Sequence, residues 1–501
     1  MNHRRFLSHS SLCLIVLFLF SVLHQSSAYA VSHPYRQFQK GMSYIWYYYD
    51  AYLWPGSDQS LQDLAATGTN WVSLVVMWYQ TSYTGSAITP NPIYTATDEA
   101  LVHAIETIHA LGMKVMLKPH IDLIIGGEYR DDRENIAASN VTAWFQNYRT
   151  FILHYAKLAS STHVEQFSVG TELTSMSVYT QEWSDTIDAV RGVYNRTLTY
   201  AAYSASTDEW KHIQFWNKLD YVGIDAYFTL ADHVNATVDE LRNAWMPYVA
   251  EIEAFQASVG KPIIFTEIGV ASVAGANTGT WKWDNICNQN DSQYDPNKCK
   301  PDQQEQADFY ESALETFWNE AWLQGIFWWT WMPYGTHTGW GEGGANDPHY
   351  SPHNKLAEQI LRSWYAKPFI PEGTTPEAVL ALGAIQRAEN ATATAMREGR
   401  MLGLDEANSL LSQAIDSYNH GDFTQSETFA VDAVKSADQS TIPQVSTTSS
   451  TYVPITNYTF EMLPQPVVPN GSNMIYALVA IVAVAALAIS VVALKRNKKE
   501  R

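Results

Sequence analysis

Residues 263–270 read "IIFTEIGV", an apolar, β-favouring run with one carboxylate near its end. Charged groups avoid buried strands unless they are paired, so Glu267 marks the point where the chain leaves a core. A second stretch, "FSVGTELTSM" at 167–176, repeats the pattern with Glu172. Two strand-like runs that each end in a glutamate ask for a fold that brings several strand ends to one face.

Six further strand-like runs supply that fold. They are "GMSYIW" (41–46), "NWVSLVVMWY" (70–79), "MKVMLKPHID" (113–122), "LTYAAYS" (198–204), "LDYVGIDAYF" (219–228) and "GIFWWTW" (325–331). Between most of them lie helical patterns. In "TDEALVHAIETIHALG" (97–112) Leu101, Ala104, Ile105 and Ile108 recur at helical spacing, and Gly112 stops the run. Residues 143–159 and 304–322 behave alike. Eight β–α alternations predict a (β/α)8 TIM barrel over residues 36–370. The rival, a doubly wound open sheet, lacks a Gly-rich phosphate loop after its first strand.

Functional side chains of such a barrel sit at the C-terminal strand ends. Strand three ends in Lys118, His120 and Asp122, which share parity and so share a face. Strand six places Gly223, Asp225 and Tyr227 together. On the same alternation Ser168, Gly170 and Glu172 group on strand four, and Ile263, Phe265 and Glu267 on strand seven. Two carboxylates across a barrel mouth fit glycoside hydrolysis, where one protonates the leaving oxygen while the other attacks the anomeric carbon or activates water. His120 and Asp122 lack a third partner at ligand spacing, so neither a metal nor another cofactor is expected. Trp328, Trp329 and Trp331 alternate across strand eight, which makes some of them core and at least one a sugar platform. Tyr227 is placed either to hydrogen-bond the Glu267 carboxylate or to pack as plain core.

These blocks resemble glycoside hydrolase family 113, within the clan of retaining barrel glycosidases. The resemblance rests on "NWVSLVVMWYQ", "VMLKPHID", "SVGTELTSM", "LTYAAYS", "FWNKLDYVGIDAYFTL", "KPIIFTEIGV" and "GIFWWTW", and closes with "YSPHNKLAEQILRSWY". It implies Glu172 as acid/base, Glu267 as nucleophile and β-1,4-mannan as the default substrate. Substrate contacts are expected from Trp46, Trp78, Lys118, His120, Thr171, Asp225, Tyr227, Trp328 and Trp329. The chain departs from the clan at Thr171, where an Asn is common. It departs again at Gly269-Val270-Ala271-Ser272, where relatives read Gly-Tyr-Arg-Ser.

The ends of the chain set its location. Residues 1–30 carry a basic start, an apolar run over Leu12–Leu23 and an Ala28-Tyr29-Ala30 cleavage pattern, the signature of a secretory signal peptide. Residues 475–494 are uncharged and long enough for one transmembrane helix, and the basic residues 495–501 should stay cytoplasmic. The expectation is a single-pass protein of the cell membrane with its catalytic domain outside. The net charge of −20 disfavours nucleic acid as a partner and leaves a neutral polysaccharide or oligosaccharide acceptable. Of the three cysteines Cys13 leaves with the signal, and Cys287 and Cys299 read as a disulfide in an exported chain. Residues 374–438 are Ala- and Leu-rich with helical spacing and read as a helical stalk. Residues 439–473 are a disordered Ser/Thr/Pro-rich linker. The alternative function is a surface glycan-binding protein on a glycosidase-derived barrel, without turnover.

Overall fold

The computed structural model describes residues 34–281, 287, 295–335 and 343–443. Eight parallel strands form its centre: β1 Gln39–Tyr44, β2 Trp71–Gln80, β3 Lys114–Ile125, β4 Gln166–Thr171, β5 Thr197–Tyr203, β6 Val222–Asp225, β7 Ile263–Ile268 and β8 Leu323–Trp331. Each pairs with the next, and β8 returns to pair with β1, so the sheet closes into a barrel. A short strand, Glu128–Arg130, folds back antiparallel on the end of β3.

Helices wrap the outside: α1 Pro55–Ala65, α2 Asp98–Ala110, α3 Val141–Ser161, α4 Thr180–Arg191, α5 Val238–Val259, α6 Gln303–Phe317 and α7 Leu356–Tyr365. The stripe expected on α2 is the buried one: Leu101, Ala104, Ile105 and Ile108 face the strands, while the Thr97 side chain caps the Ala100 N–H. After β5 the helix shrinks to Glu209–His212. Inside the barrel, Trp71, Met116, Tyr221, Ile264 and Phe327 form a closed floor. Gly41 belongs to that floor, because any Cβ there would overlap the Phe327 ring.

Both glutamate-bearing strands are irregular just before their glutamates. On β4 the register slips between Ser168 and Thr171, and on β7 Thr266 is an extra residue between the partners of Ile224 and Asp225. Bulges of this kind re-aim side chains beside active sites. They correct the simple alternation read from sequence. Phe265 packs edge-on against Phe317 of α6, with ring centroids 4.9 Å apart, and Gly170 faces Trp183 and Tyr200 rather than the barrel interior. The bulges bring Glu172 and Glu267 to the mouth all the same.

The expected stalk, residues 374–438, folds as three helices that run one residue further, α8 Pro376–Arg397, α9 Leu404–Asn419 and α10 Phe423–Gln439, joined through an alanine-rich seam. They dock on the barrel beneath the strands. Ala393 packs against Gly112 ahead of β3, and Gln386 exchanges two hydrogen bonds of 2.7 Å with the Phe369 backbone. The structure pairs Cys287 with Cys299, their Cα atoms 5.3 Å apart. The signal peptide, the linker beyond Pro443, the apolar span and the basic tail lie outside the described residues. Among the described residues no helix is long and apolar enough to cross a membrane.

Candidate active site

A cavity of about 330 Å³ opens at the C-terminal end of the barrel, and both glutamates line it. Each is nearly buried, with 7% of Glu172 and 4% of Glu267 exposed, so the surrounding groups rather than bulk water set their charge.

Glu267 is held from two sides. Lys118 Nζ donates to Oε1 at 2.5 Å, and the Tyr227 hydroxyl donates to Oε2 at 2.7 Å. Lys118 also reaches both oxygens of Asp225, at 3.2 and 3.3 Å, and Thr266 Oγ1 donates to Asp225 at 2.7 Å. Burial alone would discharge the ammonium. Asp225 and Glu267 outweigh it and hold the Lys118 pKa above its ordinary value. Burial, reinforced by the Glu267 charge, pushes Asp225 up to about 7. Tyr227 is likewise pushed up by burial and by Glu267, so it remains a donor. Glu267 thus accepts from two donors, one on each carboxylate oxygen.

Glu172 is set differently. Burial, then the Asp225 charge, raises its pKa well above the usual carboxylate range, with Arg133 acting against the shift. Arg133 Nη1 donates to Glu172 Oε2 at 2.6 Å, while its Nε and Nη2 bind Asp122 Oδ1 at 2.9 and 2.6 Å. The Tyr129 hydroxyl donates to the other oxygen of Asp122 at 2.9 Å. The backbone at Glu172 is left-handed, φ 52°, an uncommon state for a residue with a side chain and one that clusters at functional sites.

The residues expected to touch substrate divide into three groups. His120, Tyr227 and Trp329 line the cleft. Lys118, Thr171 and Asp225 are buried beneath it, the first and last bound to each other. Trp46, Trp78 and Trp328 are corrections. Trp46 is buried with Ala51 and Met332, while Tyr47 beside it lines the cleft. Trp78 turns outward to α3, donating to the Tyr155 hydroxyl at 2.8 Å. Trp328 stacks on Tyr310 of α6 at 3.8 Å and donates to Tyr365. Burial on both sides of each strand explains Trp78 and Trp328, because aromatic rings suit the helix-facing layer as well as the mouth, whereas Trp46 lies beyond the end of β1. Arg133 is the residue that sequence reasoning missed. Its only signal is that it stands as the single cation among Asp131, Asp132 and Glu134. Among the described residues no group of three or more His, Cys, Asp or Glu could hold a metal ion.

The sequence model of Glycoside Hydrolase Family 113 matches residues 42–355. Among solved structures, a β-1,4-mannanase of that family in a complex is 24% identical with a TM-score of 0.56, covering 66% of this chain and 99% of that one. At that identity the likeness speaks for the fold alone. The family 113 β-mannanase from Alicyclobacillus acidocaldarius is 25% identical with a TM-score of 0.55, covering 66% and 98%. No curated protein matches the chain.

Proposed function

Because the chain belongs to glycoside hydrolase family 113 and is a glycoside hydrolase, we propose that it cleaves β-1,4-mannan or a related β-glycan internally and with retention. In this reading Glu172 protonates the departing oxygen while Glu267 attacks the anomeric carbon. Glu172 then takes a proton from the water that releases the sugar.

One observation carries the assignment, the unequal setting of the two carboxyl groups. Glu267 accepts from an ammonium and a phenol, which favours the anion a nucleophile needs. Burial and the Asp225 charge raise the Glu172 pKa, which favours the proton an acid must carry. Trp329 in the cleft wall offers an indole face for a sugar ring. Export, an apolar anchor at 475–494 and an external substrate belong to the same proposal, on the sequence features of the two ends.

The test is release of reducing ends from a panel of soluble β-glycans that includes β-mannan, with binding measured in parallel and the first-formed anomer read by NMR. A β-anomer from mannan is the expected result. Binding without release would favour the non-catalytic alternative, and an α-anomer would exclude retention. For location, the intact protein should need detergent for extraction from membranes.

A further inference from the structure

We propose that Glu209, outside the cleft, is a positioning residue for Glu172, acting through Tyr200 on the backbone that presents the acid/base. The proposal rests on the reading of Glu172 as the acid/base.

Glu209 is a carboxylate with 1% of its surface exposed. Among the described residues no cation is paired with it, and its charge is supported by hydrogen bonds alone. Tyr200 Oη donates to its Oε1 at 2.7 Å, and the Tyr203 N–H donates to its Oε2 at 2.8 Å. Burial pushes its pKa up to about 7. An unpaired buried carboxylate is costly, and a core with no use for it would hold an apolar residue there.

Its bonds converge on the segment around Glu172. The hydroxyl of Tyr200 that donates to Glu209 also accepts the Leu173 N–H at 2.9 Å. Leu173 directly follows Glu172, whose left-handed backbone needs such a restraint. Tyr203, the other residue that Glu209 binds, is a wall residue of the cleft. Glu209 thus joins the end of β5 to the turn after β4.

Two sequence peculiarities exist to admit this arrangement. Gly170 lets the Tyr200 ring pass under β4, since a Cβ there would lie 2.6 Å from Tyr200 Cε2. Asp208, just before Glu209, is itself left-handed with φ 47°.

The experiment compares Glu209→Gln and Tyr200→Phe with the unaltered full chain on β-1,4-mannan and on dinitrophenyl β-mannobioside, whose leaving group departs without a proton. Gln puts an amide donor where donors already converge. A displaced acid should lower kcat/KM on mannan about 10- to 100-fold. On the aryl glycoside kcat/KM should change by less than about threefold, because that ratio reports the first step alone. Equal losses on both substrates, or no loss on either, would overturn the proposal by making Glu209 merely structural or idle. Should Glu209→Gln fail to fold by circular dichroism, Tyr200→Phe decides by the same comparison. Glu172→Ala in the same assays separates the two readings, since full mannan activity in that variant sinks the acid/base assignment itself.

Discussion

Lys118 Nζ stands 2.5 Å from Glu267 Oε1 and is wholly buried beneath the cleft, where it also binds Asp225. Sequence alone presents Lys118 as a sugar ligand, whereas the structure makes it the counter-ion of two carboxylates. Lys118→Met should leave both carboxylates buried without a cation, a change of the kind that costs about 3–5 kcal/mol. Thermal unfolding should show that loss. Turnover of every substrate should collapse as Glu267 loses the ammonium that holds its Oε1. Unchanged melting together with unchanged activity would refute this role.

The two glutamates should fail in different ways. Glu267→Ala should abolish turnover of mannan and aryl glycosides alike, since the proposal makes Glu267 the group that forms the glycosyl-enzyme. Glu172→Ala should still react with activated aryl glycosides, accumulate the covalent intermediate, and be accelerated by azide. If azide rescues neither variant and both are equally inert on aryl glycosides, the roles are wrongly assigned.

The pH dependence follows from the environment of Glu172. Burial and the Asp225 charge raise its pKa, so its acid form persists above the usual carboxylate range. In the proposed role of Glu172 the acid form is the active one. Activity on mannan should therefore hold below that raised pKa and fall as pH climbs through it. In Glu172→Ala, kcat/KM for an aryl glycoside should lack this alkaline limb. A limb that survives the substitution belongs to another group.

Cys287 and Cys299 should be oxidised in the mature protein. Alkylation without reductant followed by mass spectrometry checks this, with neither residue modified as the expected outcome. Double alkylation would refute it.

Strand ends and the two glutamates are readable from the chain because the polar residues interrupt long apolar runs at the point where each run stops. What alternation cannot supply is the inner or outer sense of a strand buried on both faces. Trp328 and Trp329 are neighbours in one apolar run, yet one packs on α6 and the other faces the cleft. The slips in β4 and β7 are equally silent in sequence, since a bulge is a pairing property and neither partner strand announces it alone. Arg133 escapes for a third reason. It opens a single 3-10 turn, Arg133–Asn135, and only the fold brings it 2.6 Å from a glutamate thirty-nine positions onward.

The floor made by Phe327 above Gly41 turns the barrel axis into a stopper instead of a bore. A polysaccharide bound at the mouth cannot thread through the molecule and has to lie across its rim. Fragments must leave by the side on which they arrived. Traffic through the enzyme is thus one-sided, and a long polymer competes with its own products for a single doorway.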